Sequence, residues 1–350
     1  MSQPVKIGIA GTGFGRKVAL PVYSELDEFE PVACWSRTPE KAEKMASEAG
    51  IPLATSDFDE FLEAPGLEAV HVATPVATHL EFATRAAARG LHVLCEKPLA
   101  ENLDSARKIA AAIRDAGVVG QAGFGLRMKQ TRAGVIKRAR ETVGRPRMAM
   151  VSLVHNDHAT PESRPWTWVH DEKMAGGRMQ GYGVHDLDLL LQIFPEVESV
   201  AAATDTGVPK RIGNDGQMHP VTTEDAYSII MRFKGGGIAV VNLVATARHP
   251  RKDLIEIYGD EGSVRLDTDY RLWWGKAGEE MHSEGPLSNS STDGFKAVAL
   301  NFYGAIREGK PADPSLEEAL AVQSVFDAAH LANQQGRWVQ PAAVTEDPGQ

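Results

Sequence analysis

The first part of the chain alternates short, almost continuously apolar runs with longer segments that have helical periodicity. Five of the apolar runs are predicted to be strands: residues 5–10, 31–35, 68–73, 91–95 and 118–123. Strands that are apolar on both faces are typical of a parallel sheet covered by helices on either side. The alternation of strand and helix therefore predicts a doubly wound α/β domain.

Helix boundaries in this part carry specific signals. Thr38 before a proline predicts a helix start, and Gly50 predicts the end of the same helix. The spacing of Thr78 and Glu81 predicts a capping box, in which each side chain accepts a hydrogen bond from the other residue's backbone N–H. Gly90 is expected to end that second helix.

After about residue 145 the pattern changes, because strand-like segments follow one another directly. The predicted strands are residues 148–154, 197–204, 226–233, 238–245, 254–259, 263–267 and 270–274. Glycine-containing links at 235–237 and 260–262 predict hairpin turns, and helices are expected around 180–194, 294–308 and 315–335. We therefore expect a first domain over residues 1–124, an α+β domain with a large, mostly antiparallel open sheet over 125–340, and a loose tail over 341–350.

Composition and charge narrow the function classes. The 350 residues are 43% hydrophobic and 24% charged, which is ordinary for a globular protein, and the net charge is −10. This charge argues against nucleic acid or an anionic membrane as a partner, and no apolar run has the length of a membrane span. Cys34 and Cys95 lie in apolar strand-like runs and are expected to be reduced, which favours a cytoplasmic location. The eleven histidines are scattered without zinc-site spacing, so no metal is expected.

A glycine-rich turn follows the first predicted strand. It reads GTGFG, that is Gly11, Thr12, Gly13, Phe14 and Gly15. Glycines at such a turn let backbone N–H groups approach a pyrophosphate at a helix N-terminus. The strict dinucleotide motif has glycine or alanine where this chain has Arg16, and the alternative is a glycine turn without a ligand. Its place after the first strand favours a cofactor site.

The residues after the second strand bear on cofactor choice. An acidic residue there accepts hydrogen bonds from the ribose 2′-hydroxyl of NAD, but this chain has Ser36, Arg37 and Thr38. A hydroxyl and a guanidinium suit a 2′-phosphate instead, so NADP is preferred and NAD is the alternative. A surface arginine that only covers the sheet edge is the other interpretation.

Two further strands end in polar residues. Residues 73–79 read ATPVATH, which places Ala73, Thr74 and Pro75 at the carboxyl edge of the sheet and His79 at the start of the next helix. His79 is either a cofactor-site residue or an ordinary residue near a helix cap. Residues 92–100 read HVLCEKPLA, a buried strand that delivers Glu96 and Lys97 to the same edge.

In this order and spacing, GTGFG, ATPVATH and HVLCEKPLA resemble the glucose–fructose oxidoreductase/inositol dehydrogenase (Gfo/Idh/MocA) family. The resemblance continues through residues 165–168 (PWTW), 176–188 (GGRMQGYGVHDLD), 255–266 and 301–311, so it covers essentially the whole chain. It implies a Rossmann domain followed by an α+β domain that binds substrate and forms a homodimer or homotetramer through its sheet.

The resemblance also implies roles for individual residues. It implies that Lys97 lies beside the nicotinamide and exchanges a proton with the substrate, with Glu96 close by. It places Trp166 and Trp168 near the cleft, where an aromatic face is expected to contact the nicotinamide or the sugar. Arg127 and Trp166 are candidate cofactor contacts, and Trp168 is a candidate substrate contact. As plain core or surface aromatics, the two tryptophans would be unremarkable.

A second catalytic segment departs from the family pattern. The family commonly has an acid four residues before a histidine, whereas this chain has Gly181 before His185. His185 and Tyr182 remain candidates for contact with the substrate, and Asp188 lies on the same helix face as His185. A packed structural histidine is the alternative for His185.

These features predict an NADP(H)-preferring oxidoreductase that acts on a secondary alcohol or ketone of a sugar, cyclitol or related polyol. Two alternatives stay open at this point. One is elimination or glycoside cleavage assisted by transient oxidation, and the other is a non-catalytic sensor that binds NADP and a protein partner.

Overall fold

The computed structural model describes residues 3–342, so the tail predicted from residue 341 lies almost entirely outside the described residues. In chain order the strands are β1 (Val5–Ala10), β2 (Phe29–Trp35), β3 (Leu53–Thr55), β4 (Ala69–Val72), β5 (His92–Glu96), β6 (Gly120–Gly123), β7 (Pro146–Val154), β8 (Val197–Asp205), β9 (Lys210–Ile212), β10 (Met218–Pro220), β11 (Ala226–Phe233), β12 (Ile238–Val244), β13 (Arg251–Gly259), β14 (Gly262–Leu266), β15 (Leu272–Lys276) and β16 (His282–Glu284).

The α-helices of the described residues are α1 (Leu20–Glu25), α2 (Pro39–Ala49), α3 (Phe58–Leu62), α4 (His79–Ala88), α5 (Leu103–Asp115), α6 (Gln130–Thr142), α7 (Val184–Leu191), α8 (Ser291–Glu308) and α9 (Leu316–Gln335). Two π-helical turns, Gly15–Ala19 and Met179–Gly183, lead directly into α1 and α7. None of the helices in residues 3–342 combines the length and apolar character needed to cross a membrane.

The first compact unit contains the described residues up to Met128 together with Ser290–Leu320. Its six strands form one sheet in the order β3-β2-β1-β4-β5-β6, and every neighbouring pair is parallel. The predicted doubly wound domain is therefore confirmed. β3 was not predicted, because three residues are too short to give a periodic signal.

Helix α8 belongs to this first unit although it lies far along the chain. Phe295, Val298, Ala299 and Phe302 of α8 are fully buried in the same core as strand β1. The first unit thus extends beyond the boundary at residue 124 that the sequence pattern alone suggested, because a late helix completes its apolar core.

The helix boundaries follow the predicted signals in part. Gly50 ends α2 in the left-handed conformation, with φ of 67°. The predicted capping box at Thr78 is wrong, because the Thr78 side chain makes no capping hydrogen bond to α4. Its hydroxyl is engaged by Thr74 and by the carbonyl of Pro75, at 2.8 and 2.7 Å, and Glu81 pairs with Arg85 instead.

The second compact unit contains Lys129–Asn289 and the described residues from Ala321 onward. Its sheet has eight strands in the order β16-β15-β14-β13-β7-β12-β11-β8. β7 and β12 are parallel and all other neighbours are antiparallel, which confirms the predicted α+β architecture. Three short strands, β9, β10 and β16, were not predicted.

Alternate residues of this sheet face a buried core on one side and solvent on the other. Strand β11 alternates strictly between buried and exposed positions. On the exposed face lie Met150, Ile230, Ile238 and Tyr258, which are 36–43% accessible. By their register these four residues share one face of the sheet, so this face has an apolar surface.

Candidate active site

The predicted cofactor residues of the first unit meet at one edge of its sheet. β1, β4 and β5 are neighbours, and their register pairs Ala10 with Val72 and Val72 with Cys95. The glycine turn after β1, Ala73–Pro75 after β4 and Glu96–Lys97 at the end of β5 therefore lie side by side. We call these three segments the carboxyl edge. Ligands of doubly wound folds bind at this edge.

The glycine turn has the space that a dinucleotide requires. Gly11 has a φ of +113°, and a Cβ there would lie 2.3 Å from the carbonyl oxygen of Ala73. Only glycine fits this position. At Gly13, in contrast, a Cβ would have no heavy atom within 4 Å, so the turn is open on that side. The tight turn and the open side together fit the pyrophosphate of a nicotinamide cofactor.

The residues after β2 have different environments. Ser36 is buried, and its Oγ accepts a hydrogen bond from the backbone N–H of Thr38 at 3.2 Å. Arg37 is exposed and makes no hydrogen bond or ion pair within the described part of the chain. Arg16, at the variant position of the glycine motif, is held by Glu48 through two hydrogen bonds of 2.7 and 2.5 Å. Arg37 is therefore available to a ligand, whereas Arg16 is engaged.

His79 is enclosed between two segments of the carboxyl edge. It is only 1% exposed, with Nε2 at 3.0 Å from the carbonyl oxygen of Thr74 and Nδ1 at 3.1 Å from that of Pro98. Burial lowers the pKa of His79, and the nearby Glu96 charge acts against this shift. The two ring nitrogens thus contact the chain itself; a direct role in cofactor binding stays a prediction.

Lys97 is half-buried at the end of β5, and the residue before it is almost completely buried. Glu96 Oε1 lies 3.5 Å from Nε2 of His71, which is fully buried among Phe14, Tyr23 and Phe295. Burial, together with the Glu96 charge, raises the pKa of Tyr23 well above its usual value. The carboxyl group of Glu96, the residue before Lys97, therefore faces a histidine that is packed within an aromatic cluster.

Arg127 is a buried ion-pair residue of the first unit. It is 6% exposed, and its Nη1 lies 2.9 Å from Asp313 and 2.9 Å from Glu318. These contacts attach the segment after β6 to the start of α9. The predicted contact of Arg127 with the cofactor stays a prediction.

In the second unit, His185 lies in the first turn of α7 and is 3% exposed. Arg132 of α6 donates a hydrogen bond to the carbonyl of His185 at 3.1 Å and forms an ion pair of 2.6 Å with Asp186. Both Arg132 and Asp186 are buried. The backbone of the histidine is therefore fixed by a buried ion pair on the neighbouring residue.

Gly181 and Tyr182 belong to the π-helical turn before α7. A Cβ at Gly181 would have no heavy atom within 4 Å outside its own helix. The ring of Tyr182 lies under the guanidinium of Arg178 at 4.5 Å and edge-on to His155 at 5.2 Å. The space around a Cβ at Gly181 is thus open, and Tyr182 beside it is held by a cation–π contact.

Sequence reasoning missed a polar cluster around Tyr182. Arg178 is 3% exposed and pairs with Asp157 at 3.0 Å, while His155 pairs with Asp253 at 3.1 Å. These residues come from the end of β7, the segment before α7 and strand β13. No local spacing in the sequence predicts contacts between such distant positions.

Lys129, directly before α6, also has an unusual environment. It is 7% exposed, and its ammonium makes no hydrogen bond or ion pair within residues 3–342. Burial lowers its pKa, as does the charge of Arg132, while Asp253 raises it.

The two predicted tryptophans lie in a segment beside the β9–β10 hairpin. Trp166 stacks on His219 at 4.9 Å and donates from Nε1 to the carbonyl of Pro220 at 2.9 Å. Trp168 is 36% exposed. Their predicted contacts with cofactor and substrate stay predictions. Across the described residues, no group of three or more His, Cys, Asp and Glu side chains is arranged to hold a metal ion.

Comparison with known proteins identifies relatives along the whole chain. Levoglucosan dehydrogenase of Pseudarthrobacter phenanthrenivorans is 25% identical over 395 residues, covering 96% of this chain and 98% of the relative. D-xylose 1-dehydrogenase (NADP(+)) 2 of Haloferax volcanii is 26% identical over 345 residues, covering 95% and 98%. A solved levoglucosan dehydrogenase in complex with NADH and L-sorbose superposes with a TM-score of 0.86 at 24% identity, covering 98% of this chain and 100% of that one, which supports the same fold.

Two family models match the chain in succession. Residues 5–124 match the oxidoreductase family with an NAD-binding Rossmann fold, and residues 137–265 match the GFO/IDH/MocA C-terminal domain. Together the matches cover more than half of the sequence and include the carboxyl edge and His185. The chain therefore belongs to the GFO/IDH/MocA family of NAD(P)-dependent oxidoreductases.

Proposed function

We propose that this protein transfers a hydride between a nicotinamide cofactor, preferentially NADP(H), and a secondary alcohol or ketone carbon of a sugar, cyclitol or related polyol. One observation carries the proposal. The glycine turn, Ala73–Pro75 and Glu96–Lys97 lie on three adjacent parallel strands, so a cofactor held by the first two has Lys97 beside it. The names of two relatives, a levoglucosan and a D-xylose dehydrogenase, support a sugar-like substrate.

The nicotinamide, when bound, supplies or accepts the hydride at the reacting carbon. The chain contributes the proton. During oxidation, the neutral amine of Lys97 takes the hydroxyl proton as the C–H bond breaks and the carbonyl forms. During reduction, the ammonium of Lys97 returns a proton to the carbonyl oxygen. A positioned acid–base group of this kind contributes about 10²–10⁴-fold to the rate.

The preference for NADP rests on Ser36 and Arg37. An exposed guanidinium without a partner in the described chain is available to a 2′-phosphate, and no carboxylate stands at Ser36 or Arg37 to repel one. One relative is named as an NADP(+) enzyme and another was solved with NADH, so relatives use either cofactor. The side chains at these two positions are therefore our basis for the choice.

We also propose that the protein assembles as a homodimer or homotetramer through the exposed face of its eight-stranded sheet. The accessible apolar residues Met150, Ile230, Ile238 and Tyr258 lie on that face. Burial of such side chains against a second copy would stabilise the assembly. Light scattering that gives the mass of one chain would contradict this part.

The main proposal is tested by Lys97→Met. Wild-type protein is first screened for NADP(+) reduction across sugars and cyclitols, and for NADPH oxidation with the matching ketones. The variant keeps the apolar stem, so it should bind NADPH normally and lose roughly 10²–10⁴-fold in kcat. Lys41, which is exposed on α2, provides the matched control, and Lys41→Met should leave both quantities unchanged. Turnover of Lys97→Met within a few-fold of wild type would remove Lys97 from the mechanism.

A further inference from the structure

We propose that His79 is a positioning residue that sets the distance between the cofactor segment at Thr74 and the catalytic segment at Lys97. The inference builds on the proposed function, since it assigns those two segments their roles. His79 itself need touch neither substrate nor cofactor. It acts through two backbone carbonyls, one on each segment.

The geometry around the ring carries this inference. The imidazole is 1% exposed, and its two nitrogens lie 3.0 Å from the Thr74 carbonyl oxygen and 3.1 Å from the Pro98 carbonyl oxygen. Thr74 follows β4, and Pro98 directly follows Lys97 after β5. A neutral imidazole has one N–H and donates to only one of the two carbonyls at a time, but the rigid, planar ring lies between both and so sets how far apart they are.

The hydrogen bonds between β4 and β5 do not extend to these two carbonyls. The pairing of β4 with β5 ends at Val72 and Cys95, before either segment. Beyond that point, the loop after β4 is held by the Thr78 hydroxyl, which donates to the Pro75 carbonyl at 2.7 Å. The Thr78 hydroxyl bonds within this loop, whereas the His79 ring contacts a carbonyl of each loop. His79 therefore bridges the two loops.

Loss of the His79 contacts would affect catalysis by displacing the segment that carries Lys97. The Pro98 carbonyl is one residue from Lys97, so a shift of this carbonyl moves the base of the Lys97 side chain. Misplacement of a reacting group by about 1 Å costs roughly 10²-fold in rate. Loss of the contact between the ring and the Thr74 carbonyl should weaken cofactor binding by roughly 2- to 10-fold, the effect of one hydrogen bond.

Two amide substitutions separate the two contacts. The side-chain amide of asparagine occupies the place of Nδ1, so His79→Asn keeps a contact with the Pro98 carbonyl and loses the contact with the Thr74 carbonyl. The amide of glutamine reaches the place of Nε2, so His79→Gln keeps the contact with the Thr74 carbonyl and loses the contact with the Pro98 carbonyl. We expect His79→Asn to raise the NADPH Kd by roughly 2- to 10-fold with kcat nearly unchanged. We expect His79→Gln to lower kcat by roughly 10- to 100-fold with the Kd nearly unchanged.

Two further variants serve as controls. Thr78→Val removes only the contact with the Thr74–Pro75 loop, and it should reproduce the His79→Asn phenotype. His92 lies at the opposite end of β5, where its Nδ1 accepts from the Val119 N–H at 3.0 Å. His92→Leu should lower the unfolding temperature and leave both kcat and Kd unchanged.

A purely structural role would give a different pattern. If His79→Asn and His79→Gln change kcat and Kd by the same factors, or lower only the unfolding temperature, the positioning role is wrong. A separate measurement covers the case in which no sugar supports turnover, which would contradict the proposed function alone. The rate of acetylation of Lys97 by acetic anhydride, followed by mass spectrometry, should change about threefold or more in His79→Gln and stay at the wild-type value in His79→Asn. Equal rates in both variants would overturn the inference.

Discussion

Gly11 and Gly13 are two residues apart in the same turn, and the structure predicts opposite results for alanine at each. Gly11 has a φ of +113°, and a Cβ would lie 2.3 Å from the Ala73 carbonyl oxygen. Such a backbone conformation costs a side-chain-bearing residue about 1–3 kcal/mol, and the overlap with Ala73 adds to this cost. Gly11→Ala should therefore lower the free energy of unfolding by at least that amount.

Gly13→Ala should leave folding intact and impair cofactor binding. A Cβ at Gly13 has no heavy atom within 4 Å, so the methyl group displaces nothing in the protein. Because alanine restricts the unfolded chain, stability should stay the same or rise by up to about 1 kcal/mol. The methyl group would, however, occupy the open side of the turn and hold a phosphate away from the backbone N–H groups. Loss of one charge-assisted hydrogen bond, about 1.5–3 kcal/mol, corresponds to a roughly 10- to 100-fold higher Kd.

Both variants are measured on one preparation, by urea unfolding and by titration with NADPH fluorescence. Wild-type affinity in Gly13→Ala would refute the assignment of this turn to the pyrophosphate. Wild-type stability in Gly11→Ala would refute the close approach of Gly11 to Ala73. A loss of stability in Gly13→Ala equal to that in Gly11→Ala would show that the two positions are not distinct.

Three further predictions concern cofactor choice, catalysis and pH. Arg37→Ala should raise the Kd of NADPH by roughly 10- to 100-fold more than that of NADH in fluorescence titrations, since only NADPH carries the 2′-phosphate; equal losses would contradict the NADP preference. His185→Asn should lower kcat by roughly 10²–10⁴-fold with an unchanged NADPH Kd, whereas a lower unfolding temperature with normal specific activity would indicate a structural histidine. Burial lowers the pKa of His170 to about 4, and its Nδ1 accepts from the Thr167 N–H, so the folded protein holds this ring neutral. As the pH falls below about 6.5, the unfolded chain takes up the proton before the folded protein does, so the free energy of unfolding falls by up to about 2 kcal/mol at pH 5. Urea unfolding at pH 7 and pH 5 should therefore show a smaller loss of stability in His170→Gln than in the wild type.

The fold was accessible from the sequence because its main strands are continuous apolar runs. β1, β11 and β5 lie at or within a residue of the predicted bounds. Strands of three residues, such as β3 and β16, carry no usable period and were missed. The extent of the first unit could not be predicted from the sequence either, because α8 packs into its core from a distant part of the chain.

The site was predictable where function depends on the position of a residue relative to a strand end. Lys97 and Thr74 were placed at the carboxyl edge from their strands alone, and the structure brings their strands together. Where function depends on side-chain packing, the sequence did not predict the contacts. The contact of His79 with the Pro98 carbonyl and the pairing of Arg178 with Asp157 join residues that no motif connects. The Thr78 capping box shows the opposite error, because the hydroxyl that the pattern assigns to the cap bonds instead to the preceding turn, at Thr74 and the Pro75 carbonyl.

The open position at Gly181 has a consequence for engineering. The Cβ of a side chain introduced there would have no heavy atom within 4 Å outside its own helix, so alanine fits without moving a neighbour. Gly181 lies four residues before His185, on an element whose neighbour Tyr182 is already held by Arg178. A small library at this single codon would therefore sample acids, amides and hydroxyls next to the histidine on an otherwise unchanged scaffold. Under the proposed function, Gly181 is therefore a suitable single position at which to vary substrate range.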